Sequence, residues 1–175
     1  MKKIIATTLL FHFLTASFGQ SQSPDIKLMV DSLQYLKADT LDCNASLYWR
    51  IVAQGDKAIP FLIDKLDDTT LTKISNNCKA TKLNVGEVAY FALQQIAFFP
   101  AFVITHIQFD VIYGNGCWSF FDYFFNNANK RHYQDLVRKW YDDNKEKFKA
   151  QRISKKRMTE CQKIYHIDKY LMWTE

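Results

Sequence analysis

The chain has 175 residues, 48% of them hydrophobic and 15% aromatic, which excludes a disordered tail and supplies enough apolar surface for a core. Only 5 Gly and 3 Pro punctuate it, which argues against a sandwich of many short strands and for helices. The formal net charge is +5, and it is unevenly placed. Residues 130 to 163 carry twelve Lys/Arg against five Asp/Glu, so the C-terminal third is the basic part.

Lys2 and Lys3 precede an uncharged run from Ile4 to Phe18 that is too short to span a bilayer. Ser17 and Gly19 supply the small-x-small pattern of a signal-peptidase site. Residues 1–19 therefore read as a signal peptide, and the mature chain is expected to be exported, to the periplasm or the extracellular space. A nucleic-acid partner is not expected there. The mature residues 20–175 contain no Gly/Ser linker and are read as a single α-helical domain.

Ser23-Pro24-Asp25 offers a cap, a proline at the first helical position and an acidic first turn. Ile26, Met29, Val30, Leu33 and Leu36 follow at helical spacing, predicting a helix over about 24–37. Leu47, Tyr48, Ile51 and Val52 predict a second helix that stops at Gly55. Asp56 is expected to cap a third, which runs through Leu66 on the stripe Ala58, Ile59, Leu62, Ile63 and Leu66. Residues 67–83 are polar and read as a long connection, with Cys78 placed to tether it.

Asn84 and Glu87 have the spacing of a capping box, opening a helix with Val88, Ala89, Ala92, Leu93 and Ile96 on its apolar face. No charge lies between Glu87 and Asp110, a length that could cross a membrane. Gln94, Gln95, Pro100, Thr105, His106 and Gln108 interrupt it, so the stretch reads as two short buried helices meeting at Pro100, the second reaching about Phe109. Gly114-Asn115-Gly116 marks a turn before an aromatic block at Trp118–Phe125. From Asn129, the pattern Tyr133, Leu136, Val137, Trp140, Tyr141 and Phe148 predicts an amphipathic helix with basic residues on its outer face. A short helix at Cys161–Tyr165 and an aromatic tail ending in Trp173 close the chain.

The four cysteines, Cys43, Cys78, Cys117 and Cys161, are even in number and widely spaced, which in an oxidising compartment implies two disulfides. Three connectivities are open, Cys43–Cys78 among them. The absence of any CxxC argues against structural zinc.

Gly55-Asp56-Lys57-Ala58-Ile59-Pro60-Phe61-Leu62-Ile63-Asp64-Lys65-Leu66 and Val88-Ala89-Tyr90-Phe91-Ala92-Leu93-Gln94-Gln95-Ile96 resemble the two helices of a HEAT-type repeat. The resemblance covers residues 55–96 and implies an antiparallel helix pair. A single unit is visible, whereas repeat proteins stack about three, so further closure is expected from aromatic packing and disulfides. The chain as a whole resembles small exported bacterial proteins, a likeness that supplies no active site.

Gly116-Cys117-Trp118-Ser119-Phe120 resembles the nucleophile segment of papain-like proteases. The histidine of that family lies far downstream, whereas His132 and His166 follow Cys117 by only 15 and 49 residues. His106 and Asp110, four apart, would share a helix face and could contribute two ligands to a metal site. The chain has no GxSxG, Walker-type or GxGxxG motif, so no cofactor is expected. The leading expectation is a non-enzymatic exported module that binds a protein or glycan. Its recognition surfaces would be the 67–83 loop and the basic helix near Arg131, Arg138 and Lys139. The alternatives are a small hydrolase using Cys117 or His106/Asp110, and an inhibitor or immunity-type protein.

Overall fold

A computed structural model describes residues 25–174. The expected signal peptide and the Ser23-Pro24 cap lie outside these residues. The first helix, α1 (Ile26–Asp31), is capped by Asp25, whose carboxylate accepts from the Leu28 backbone N–H. It does not continue to residue 37 as an α-helix. The Ser32 hydroxyl donates back to the Leu28 carbonyl at 2.8 Å, a bond that competes with the helical ladder, and the chain tightens into a 3₁₀ turn over Ser32–Tyr35.

Helix α2 (Ser46–Val52) buries Tyr48, Trp49, Ile51 and Val52, and Gly55 follows with a left-handed φ of 60°. The Asp56 carboxylate accepts from its neighbour Lys57 and does not cap the next helix. A 3₁₀ turn over Gly55–Ala58 leads into α3 (Ile59–Ile63), where Pro60 is tolerated in the first turn. This helix ends before Leu66, which stays fully buried in the following turn.

The 67–83 connection is less open than its polarity implied. Thr72 donates its backbone N–H to the Leu83 carbonyl, and Leu83 returns one to Ile74. Ile74 and Leu83 are both buried, so the segment folds back as an irregular pair that reaches the core. Both halves of the expected capping box form at the start of α4 (Val85–Ile96). Gly86 sits there because a Cβ would lie 2.4 Å from the Leu66 carbonyl oxygen, so the close approach of α4 to the turn after α3 requires glycine.

Pro100 precedes α5 (Ala101–Thr105), and His106 ends it in a left-handed conformation with φ 56°. Two short helices therefore flank Pro100, but the second ends four residues before Phe109 and is partly exposed, with Phe102 and Val103 facing solvent. No helix among the described residues is long and apolar enough to cross a membrane. Helices α6 (Phe120–Phe124) and α7 (Asn127–Asn144) follow, the latter capped by Asn126. Phe120, Phe124, Tyr90 and Tyr133 pack with ring centroids 4.5 to 6.3 Å apart, burying the aromatic block within one continuous core.

The all-α expectation is corrected at the C-terminus. Phe148 opens a strand instead of closing α7, and the aromatic tail is its partner: β1 (Phe148–Arg152) pairs antiparallel with β2 (Lys169–Trp173), with Phe148 opposite Trp173. Phe98 donates its N–H to the Leu171 carbonyl, so β2 is joined to the chain just beyond α4. Between the strands lies α8 (Glu160–Ile164), which has its own Thr159/Gln162 capping box. The fold is mostly helical with a two-stranded sheet. Two disulfides brace it, Cys43–Cys161 and Cys78–Cys117, one of the three connectivities that the spacing left open. Such bonds fit an oxidising environment.

Candidate functional site

Glu87, placed by the capping box in the first turn of α4, is completely buried. A buried carboxylate needs partners, and it has two besides the Asn84 backbone N–H. Lys130 Nζ, from the fourth residue of α7, lies 2.9 Å from one oxygen, and Lys79 Nζ approaches both at 2.8 Å. Lys130 is itself 1% exposed, donates to the Phe124 carbonyl, and stands 4.5 Å from the Phe124 ring centroid. Burial lowers the Lys130 pKa below the ordinary lysine value, and the Glu87 charge offsets part of that shift.

The cluster ties together α4, α7 and the 67–83 segment, where Lys79 follows the disulfide-bonded Cys78. The cavities of about 660 and 550 Å³ do not reach it, and its geometry is that of a clamp. Helical spacing held the signal for Lys130, which stands three before Tyr133 and seven before Val137 and so shares their inward face. Gln134 lies on the same face and is also buried, donating to the Ile63 and Asp64 carbonyls and to the Asp67 carboxylate.

The three cations expected to form a recognition surface are all engaged. Arg131 pairs with Asp67 at 3.0 Å and Asp135 at 3.6 Å, Arg138 with Asp64, and Lys139 with Asp143 at 2.6 Å. Arg131 and Arg138, together with Gln134, fasten α7 to the turn after α3.

The catalytic alternatives lose their geometry. Cys117 is bonded to Cys78 and presents no thiolate, which a nucleophilic cysteine requires. His106 ends α5 and Asp110 lies in the irregular chain beyond, where it accepts from Gln108, so the two do not share a helix face. No group of three or more His, Cys, Asp or Glu placed to hold a metal occurs among the described residues.

A different region exposes apolar side chains. Phe98, Phe102, Val103, Ile107, Val111, Ile112 and Tyr113 are seven of the eleven large hydrophobic side chains exposed among the described residues, and all fall within 98–113. Phe102 is 59% and Ile112 72% exposed. The ledge rests on ordered supports: Ile112 bridges Trp118, Trp118 Nε1 donates to the Phe109 carbonyl, and the Tyr113 hydroxyl donates to Asp122. The composition of the segment was legible in the sequence, but its exposure was not. In comparisons with known proteins, no family model, curated protein or solved structure matches the chain.

Proposed function

We propose that the chain is an exported, disulfide-braced binding module that recognises a protein partner through the apolar ledge 98–113, without catalysing a reaction. The observation that carries this reading is the concentration of exposed Phe, Ile, Val and Tyr side chains in one short segment, the composition of an interface centre more than of a free surface. The absence of charge from Val88 to Phe109 supports it, since interface centres are depleted in charged residues. The two disulfides support export. The HEAT-like pairing of α3 with α4 then serves as scaffold behind the ledge.

Affinity capture from the native envelope and medium tests the reading with wild type and a Phe102→Asp/Ile112→Asp variant. A protein retained by wild type and lost by the variant is the expected result. Retention of the same proteins by both, with the variant folded, overturns it.

A further inference from the structure

Between β1 and β2 the chain leaves the sheet, and in this excursion Lys155, Lys156, Arg157 and Lys163 have no ion-pair partner among the described residues. The excursion and the strand ends that flank it, residues 149–169, hold seven Lys/Arg against Glu160 and Asp168. Among the described residues only Arg152 of the seven has an ion-pair partner, Asp168 at 3.6 Å. Lys155 and Lys163 have none, and both line a cavity of about 660 Å³, within the size range of small-molecule sites.

The cavity is more than a ring of lysines. Ile153 and Met158 line it as well, both part-buried, together with His166 and the Arg152–Asp168 pair, whose carboxylate is offset by its own guanidinium at 3.6 Å. Its frame is fastened at several points. Ile153 donates to the Asp168 carbonyl where the excursion leaves the sheet, and Arg157 and Met158 both donate to the Ser154 carbonyl in the turn above. Cys161 is bonded to Cys43, the Tyr165 hydroxyl donates to the Cys43 carbonyl, and the Tyr165 ring stacks on Trp49. His166 closes the return in a left-handed conformation with φ 56°. A wall fixed before binding loses little freedom when a ligand enters.

We propose that this cavity binds an anionic amphiphile, its phosphate or carboxylate head between Lys155 and Lys163 and its apolar body against Ile153 and Met158. Two unpaired ammonium groups favour an anionic head. The apolar lining favours a body that a bare inorganic ion lacks. The site is separate from the ledge and stands or falls independently of it.

Isothermal titration of the oxidised chain with dodecyl phosphate, kept below its micelle concentration, tests the proposal. Saturable binding of one molecule per chain is expected, weakened about tenfold or more in Lys155→Glu/Lys163→Glu, where two attractive charges become repulsive. Met158→Asp is expected to weaken it too, whereas Phe102→Asp leaves it unchanged. Inorganic phosphate and the neutral dodecyl maltoside should each bind at least about tenfold more weakly than dodecyl phosphate, because each lacks one half of the recognised chemistry.

Vesicles of phosphatidylglycerol in phosphatidylcholine separate the sources. Vesicle binding that dodecyl phosphate displaces assigns the head to a membrane lipid, and monomer binding without vesicle binding assigns it to a free amphiphile. Equal affinity of wild type and the double lysine variant, equal affinity for dodecyl maltoside, or vesicle binding with no monomer binding overturns the proposal. Both lysines are exposed, so the variants keep the fold, and an unchanged far-ultraviolet spectrum and the absence of free thiols verify this.

Discussion

Helix α7 and the excursion between β1 and β2 are both rich in Lys and Arg, but their charges do different work. On α7, Lys130 is buried against Glu87, while Arg131, Arg138 and Lys139 each meet a carboxylate. In the excursion, Lys155, Lys156, Arg157 and Lys163 meet none among the described residues. The difference teaches that a basic run locates a binding surface only after internal partners have been subtracted. Here Lys130, Arg131 and Arg138 find those partners far away in sequence, in Glu87 on α4 and in Asp67 and Asp64 after α3, while Lys139 finds Asp143 one turn along α7.

The comparison breaks most sharply at its buried end. Glu87→Ala leaves Lys130 and Lys79 facing each other without their carboxylate and removes half of the α4 capping box, at an expected cost of about 3–5 kcal/mol. Urea denaturation measures it. Adding Lys130→Met should recover a large part, because the buried ammonium is then gone.

Alkaline titration comes next and weighs the buried charge against the buried phenols. Burial holds Tyr48, Tyr90, Tyr133 and Tyr170 above the ordinary tyrosine value of 10.0, Tyr170 at about 12. The unfolded chain therefore loses these protons first. Their contribution leaves stability intact below about pH 10 and lowers it as pH climbs through the folded values. Lys130 acts with the opposite sign. Its folded pKa is lowered, so between that value and 10.5 the unfolded chain binds the extra proton and stability gains with pH. Four phenols outweigh one amine, and urea midpoints should fall from about pH 10 to about pH 11, with phenolate absorbance rising together with unfolding.

Gly86→Ala tests whether the α3–α4 seam is as close as the clamp requires. Its Cβ would meet backbone, not a movable side chain, and an expected loss of about 1–3 kcal/mol would appear as a lower melting temperature. The smallest effects belong to the exposed pairs. Arg131→Ala, Arg138→Ala and Lys139→Ala should each leave the melting temperature nearly unchanged, because exposed ion pairs are screened by solvent. Double-mutant cycles with Asp67, Asp64 and Asp143 would show whether these cations have any work beyond pairing.

Much of the helical scaffold was legible because its signals are local. The Asn84/Glu87 box, the period of Leu47–Val52 and the inward stripe of α7 each lie within a few turns. The misreadings arose where distant or competing groups decide. Ser32 bonds back to Leu28 and tightens α1, and Phe148 leaves the helical period to pair with Trp173 across the sheet. Cysteine spacing left three pairings open, and only the packing of α8 beside the chain before α2 selects Cys43–Cys161. Of the candidate site, the identity of the apolar residues in 98–113 was plain. Phe102 and Val103 are exposed on α5 itself, and the residues from Ile107 on leave the helical path because α5 ends at His106, which no local pattern announced.

Site-specific photocrosslinking in the producing cell tests the central claim most directly, with the photoreactive residue placed at Phe102 in one variant and at Arg138 in another. A discrete protein adduct from position 102, weak or missing at 138 and abolished by Ile112→Asp, is the predicted result. An adduct formed at 138 and absent at 102 would contradict the account.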